Sequence, residues 1–394
     1  MVRGSWFFAL VLCTVAGVLA GCSGMPSAGP TALEISASEG SASGAGPFEG
    51  YIVVDIDTRV ANILASQTHP TFFGTFHDRR PRPDLRIGVG DGLTVTIWEA
   101  ASGGLFSSAV VDRVSAGSRT STIPEQIVAQ DGTVQVPYAG RIRAAGLRPA
   151  DVEREIVEAL RGKAIEPQAV VTISQNLSNT VSVAGEVTNG TRVPLTVKGD
   201  RILSIVAASG GIRVPAHETF IRLTRDGKTV SVAFNKILAS PRENIYVRPG
   251  DVLTVIREPQ TFTAFGGTQQ NASVPFDATG ITLEQAIAKV GGLLDNRADA
   301  SGVFLLRFEP ARIAAQLQPP PQGVYASEFV PVIYRLNLRN ANSYFLASTI
   351  PVRNKDILYV ANAPMSEVEK VLNMIGRVVG PAAAGAGIVA VSRN

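Results

Sequence analysis

Histidine and cysteine, the side chains that most often ligate metals or attack substrates, are scarce in this chain: three and two in 394 residues. His69 and His77 are eight residues apart and His217 is distant, so none has the spacing of a zinc pair. The glycine-rich pieces lack the Walker and dinucleotide patterns and read as turns or helix stops. No serine sits in a nucleophile elbow. With 33 Asp and Glu residues, carboxylate pairs arise by chance, so none marks glycoside hydrolysis. These residues predict no cofactor, no metal and no enzyme activity. Trp98 and Tyr138 can stack on sugar rings, but each lies in or beside an expected strand, where packing is the simpler role.

One cysteine does sit where chemistry is expected. Arg3 opens a positive N-terminus, and an apolar run from Trp6 to Val18 follows. That run is shorter than the ~20 residues of a spanning helix. Residues 1–21 read as a secretory signal peptide. Leu19-Ala20-Gly21-Cys22 resembles a bacterial lipobox. The resemblance implies cleavage before Cys22, diacylation of its thiol and acylation of the new amine; three chains anchor far more firmly than one. The alternative is a plain signal peptide with Cys22 as a bystander. Ser23, where Asp would favour inner-membrane retention, points to the outer membrane. Cleavage also removes Cys13, which leaves no partner for an intrachain disulfide. Residues 22–50, rich in Gly, Ser, Ala and Pro, read as a lipidated flexible tether.

Composition narrows the rest. Lys plus Arg is 36 against 33 acidic residues, a net charge of +3, which argues against nucleic acid as a partner. An apolar fraction of 45% with 18% charged residues excludes a disordered chain. The 38 glycines and 24 prolines imply many turns and a strand-rich fold.

The sequence repeats itself. Val181 to Ile212 matches Phe262 to Leu293 without a gap at a shift of 81 residues. Gly185 meets Gly266, Val193-Pro194 meets Val274-Pro275, and Gly210-Gly211 meets Gly291-Gly292. IYVRPGDVLTVIREP from Ile245 then matches IPVRNKDILYVANAP from Ile350, with an insertion between that holds Pro319, Pro320 and Pro321 and reads as a surface loop. Each copy predicts a strand, a glycine turn and a strand ending in Val-Pro. A helix follows, with Ile202, Ile205 and Val206, or Leu283, Ala286 and Ile287, on one face. Thr282 and Gln285 form a capping box, and Gly-Gly stops each helix. The unit is a small β-grasp-like α+β fold, present twice. A shorter echo, LRIGVGDGLTVTIWEA from Leu85, places Asp91, Asp251 and Asp356 at equivalent turns before a closing strand. A turn aspartate can bond backbone amides just beyond it, so these three read as structural. Asp131-Gly132 reads as a hairpin turn between two strands, Pro149 to Leu160 as a helix, and Ala169 to Ile173 as a strand.

Residues 365–394 begin as an amphipathic helix. Val368, Val371, Leu372, Ile375, Val378 and Val379 share one arc, and Ser366, Glu369, Lys370, Asn373 and Arg377 share the other. About 28 helical residues span roughly 42 Å, longer than a bilayer core of about 30 Å. Pro381, the run PAAAGAG and the lack of Trp or Tyr after Tyr359 depart from a spanning pattern. A helix packed on the body or lying in the interface is the alternative.

The lipobox, the IGVGDGLTVTIWE strand, the QDGTVQVPYAGRIRAAGLRPADVEREI block and the two repeats, in this order, resemble the polysaccharide export family of outer-membrane lipoproteins, the Wza-like capsule and exopolysaccharide translocons. The resemblance implies an α+β architecture: a signal peptide (1–21), the tether (22–50), a β-rich polysaccharide-export domain (51–176), two tandem soluble ligand-binding β-grasp (SLBB) domains (177–259 and 260–363) and an amphipathic transmembrane helix (364–394). It further implies an outer-membrane channel built as a homo-oligomeric ring, typically an octamer, over a periplasmic cavity. The C-terminal helix would be one stave of a helical barrel, with its apolar face on outer-membrane lipid and its polar face on the pore. Polysaccharide would arrive from an inner-membrane copolymerase, often a tyrosine kinase. A polymer in transit is best held weakly at many places, so the absence of one clear sugar site suits a channel. A periplasmic polysaccharide-binding or adaptor lipoprotein without a pore is the other reading.

Overall fold

In the computed structural model the described residues are 29–37, 50–67, 70–81, 85–99, 105, 119–318 and 328–363. Cys22, His69, the Pro319–Pro321 run and both faces of the expected C-terminal helix lie outside them. The chain forms two compact units, one of residues 69–259 with 277–279, the other of residues up to 68, 260–276 and from 280 onward.

The first unit holds two cores. In one, a three-stranded antiparallel sheet orders Arg119–Ile127, Gly92–Glu99 and Gln168–Gln175. Alternation turns Leu93, Val95 and Ile97 inward, each fully buried. They meet Val152, Ile156 and Leu160 from helix Pro149–Leu160, spaced to share one helical face. Pro149 suits the first turn because that amide has no helical partner. The Asp131-Gly132 turn differs from the expected hairpin. The strand after it, Thr133–Val136, pairs with Gly140–Arg143 instead. Asp131 Oδ1 accepts the Thr133 amide and hydroxyl at 3.0 and 2.8 Å, which bends the chain sharply without aligning the flanking strands.

The other core is the first β-grasp copy. Its sheet runs Lys228–Ala233, Thr219–Arg225, Val252–Arg257, Thr180–Gly185, Thr191–Pro194, and helix Ile202–Ala208 buries Ile202, Ile205 and Val206 against it. In the second unit the order is Ile52–Asp55, Phe329–Leu336, Ala298–Pro310, Ile357–Asn362, Gln260–Gly266, Ser273–Phe276. The last five strands repeat the first copy's order one for one. Helix Leu283–Lys289 buries Leu283, Ala286 and Ile287 and opens on the Thr282–Gln285 capping box.

The segment before residue 85 departs from the expected 51–176 domain. Ile52–Asp55 pairs in parallel with Phe329–Leu336, with Ile52 opposite Val332, and helix Thr58–Ser66 packs Val60, Ala61 and Leu64 into the second copy's core. Phe72 and Phe76, from helix Phe72–Phe76, enter the first copy's core. A four-residue strand of apolar alternation has no local partner, and a parallel partner must come from a distant part of the chain.

Gly185 and Gly266 show why the repeats carry glycine there. Each has φ near +90°, and a Cβ on either would lie 2.0 Å from a carbonyl oxygen, of Val255 or Val360 respectively, on the neighbouring parallel strand. Gly185→Ala and Gly266→Ala should each destabilise their own unit by roughly 3 kcal/mol. Urea unfolding of the purified variants checks this, and an unchanged midpoint would contradict the close approach.

Candidate functional site

The three turn aspartates are buried, at 0 to 2% exposure. Each accepts the amide three residues before it, not those beyond: Gly88 to Asp91, Arg248 to Asp251 and Arg353 to Asp356, all at 2.7 Å. The carboxylate thus closes its own turn from behind, and its other lone pairs point into the fold. Asp91 uses them on the Leu177 and Ser178 amides (2.9 and 2.8 Å) and the Ser178 hydroxyl (2.8 Å). This fixes the chain where it leaves the three-stranded sheet for the first β-grasp copy.

In the copies themselves a buried arginine takes that role. Arg225 donates to Asp251 from Nε and Nη2, at 2.9 and 2.6 Å, and to the Tyr246 carbonyl. Arg307 donates to Asp356 at 2.9 and 2.5 Å and to the Pro351 carbonyl. Sequence reasoning missed these arginines, although each stands two residues after a matching strand leucine, Leu223 or Leu305. In the second copy Glu309, fully buried, accepts from Arg307 (3.3 Å), Arg353 (3.0 Å) and the Tyr334 hydroxyl (2.9 Å), and Arg353 also donates to Gln67. Burial alone would lower the Arg307 pKa, but the hydrogen bonds and charge of Asp356 and the charge of Glu309 outweigh it and hold it above its ordinary value. Burial and the Glu309 charge push the Tyr334 hydroxyl upward. Buried charges held in pairs of this kind lock geometry, although Arg225 Nη1 and Arg353 Nε are buried without a hydrogen-bond partner among the described residues.

The other chemistry-bearing residues lie apart. His77 ends helix Phe72–Phe76, and His217 lies in the short turn Ala216–Glu218. Among the described residues no group of His, Cys, Asp and Glu is arranged to hold a metal. Tyr138 is 55% exposed, whereas Trp98 is half-buried on its strand. Among the described residues the second unit carries a cleft of about 770 Å³ with a mixed lining, its polar side chains including Asp55, Asp299, Arg335, Asn337, Arg339 and Asn340. No helix among the described residues is long and apolar enough to cross a membrane.

Comparison with known proteins assigns these parts. Residues 79–174 match the family model for polysaccharide biosynthesis/export proteins, and residues 260–360 match the SLBB domain. The chain is 37% identical over 371 residues to the capsule polysaccharide export outer membrane protein CtrA of Neisseria meningitidis, covering 93% of each chain. It is 36% identical over 378 residues to the capsule polysaccharide export protein BexD of Haemophilus influenzae, covering 92% of this chain and 93% of that one. It is 26% identical over 286 residues to the Vi polysaccharide export protein VexA/TviF of Salmonella typhi, covering 72% and 76%.

Proposed function

We propose, from the premise that this chain belongs to the family of outer-membrane polysaccharide export proteins, that it is the outer-membrane channel through which a capsular or exopolysaccharide leaves the cell. Its place is the outer membrane and its process is polysaccharide export. The observation that carries this reading is similarity along more than nine-tenths of the chain to two capsule export proteins of different genera.

In this reading Cys22 carries the lipid anchor, and copies of the chain form a ring whose polymer arrives from an inner-membrane copolymerase. Residues 364–394 supply one helical stave, with Ser366, Glu369, Lys370, Asn373 and Arg377 toward the pore. Val368, Val371, Leu372, Ile375, Val378 and Val379 face lipid. The second unit supports this placement of both ends. Helix Ala32–Ala37 lies on the outer face of its sheet, where Ile35 packs with Phe304, Ile333 and Tyr359. The Tyr359 hydroxyl donates to the Pro30 carbonyl at 2.6 Å. From Pro30 back to Cys22 is eight residues, at most about 28 Å of extended chain, and from Tyr359 to residue 364 at most about 17 Å. A lipid anchor and a spanning helix would therefore start from one strand and reach the same membrane.

Cells lacking this chain should make their polysaccharide and fail to display it. Surface staining should fall to background while total polymer, measured after lysis, persists. Undiminished surface polymer would contradict the reading. The adaptor reading keeps one support, Pro381 and the PAAAGAG run that follows from it, which favour a helix that stops short of spanning.

A further inference from the structure

The cleft in the second unit is built from features by which the second β-grasp copy departs from the first. The first copy's Thr219–Arg225 strand is seven residues long; its counterpart Ala298–Pro310 is thirteen and breaks register between Ala298 and Val303. Asp299 and Ser301 fall in that irregularity, and such breaks re-aim side chains. Asp55 comes from the added strand Ile52–Asp55, and residues 31–33, at the start of helix Ala32–Ala37, form one wall. Opposite them, the chain leaving Phe329–Leu336 supplies Asn337, Arg339 and Asn340.

The polar groups are held in fixed roles. Asn337 Oδ1 accepts the Arg339 amide at 3.0 Å and Asn340 Oδ1 accepts the Asn342 amide at 3.1 Å. Both side-chain oxygens serve their own turns, so each Nδ2 is a positioned donor on an exposed loop. Asp299 spends Oδ1 on the Ser301 amide and hydroxyl and on Arg339, at 2.9, 2.7 and 3.2 Å, and keeps Oδ2 as an acceptor. The charges cancel in pairs, Asp55 with Arg335 and Asp299 with Arg339. With both pairs formed these four groups carry no net charge, which favours an uncharged ligand over a charged one. Amide donors and a carboxylate acceptor lining one cleft suit the hydroxyls of a sugar ring, and the volume falls within the roughly 300–1,000 Å³ of small-ligand sites.

We propose that this cleft is a binding site for a short, uncharged stretch of the polysaccharide, gripped by the Asn337 and Asn340 amides and the Asp299 carboxylate. The proposal rests on the export reading above. The test uses the full-length protein purified in detergent and fragments of two to three repeating units cut from the cell's own exported polymer, titrated calorimetrically. Asn337→Asp and Asn340→Asp keep the oxygen each turn needs and remove the outward donor. Each should weaken fragment binding about tenfold while the unfolding midpoint stays in place. Fragments whose carboxyl groups have been reduced to alcohols should bind as well as native ones. Binding equal in wild type and both variants, binding lost on carboxyl reduction, or no binding to the wild type would each overturn the proposal. The export reading is tested separately in cells lacking the chain. Lost surface polymer there, with fragment binding indifferent to both variants, removes the cleft and leaves the export role standing. Retained surface polymer removes the reading on which the cleft proposal rests.

Discussion

Asp251→Ala should destabilise the unit that contains it by about 3–5 kcal/mol, because it strands the Arg225 guanidinium in a dry site. The side chains of Arg225 and Asp251 are 4% and 2% exposed, so water cannot replace the lost carboxylate. The variant also leaves the Arg248 amide without its acceptor. Asp356→Ala in the second copy should cost less, about 2 kcal/mol, because Arg307 keeps Glu309 as a partner. Replacing both members of the first pair, Arg225→Leu with Asp251→Leu, should recover at least half the loss, since no buried charge is then left unpaired. Urea unfolding checks the order. Trp98, in the same unit as Asp251, is the sole tryptophan once residues 1–21 are removed, so its fluorescence reports that unit. A loss below about 1 kcal/mol for Asp251→Ala, the scale of an exposed pair, would contradict the account.

Removing residues 364–394 should abolish surface polysaccharide entirely while the rest of the protein still folds. The last described strand, Ile357–Asn362, is complete and paired on both edges, with Ala298–Pro310 and Gln260–Gly266. The truncated chain should therefore keep the wild-type urea midpoint and accumulate to normal levels. Polymer made in such cells should be found only after lysis. An adaptor without a pore would tolerate the cut, so surface polymer at wild-type levels favours that reading. Charge reversal gives a finer version: Glu369→Lys on the polar face should be mild, whereas Val371→Lys on the apolar face should block assembly, because a charge facing lipid is expensive.

The repeats were legible because their signals are local. Gly-Gly helix stops, Val-Pro strand ends and apolar spacing at Ile202, Ile205 and Val206 each report on a few adjacent residues, and the helix Pro149–Leu160 has the bounds its sequence predicts. What sequence reasoning missed depends on pairs far apart in the chain. Ile52–Asp55 joins a strand some 280 residues later, and nothing in IVVD names that partner. Arg225 and Arg307 end up beside their aspartates only after the strands close, although the matching position of the two arginines was a readable sign. The aspartate turns close backward onto the amide three residues earlier, a geometry that residue type alone leaves open. The cleft was invisible for the same reason: it joins residues 31–33, Asp55, Asp299 and Asn340, and its polar side chains look like ordinary surface when read in order.

The most direct test of the channel reading locates the C-terminus. A small epitope after Asn394 should be labelled by antibody on intact cells, with a periplasmic protein as the control for leakage, because a stave that crosses the outer membrane puts that end outside. Labelling only after permeabilisation, in cells that still display polysaccharide, would contradict the channel.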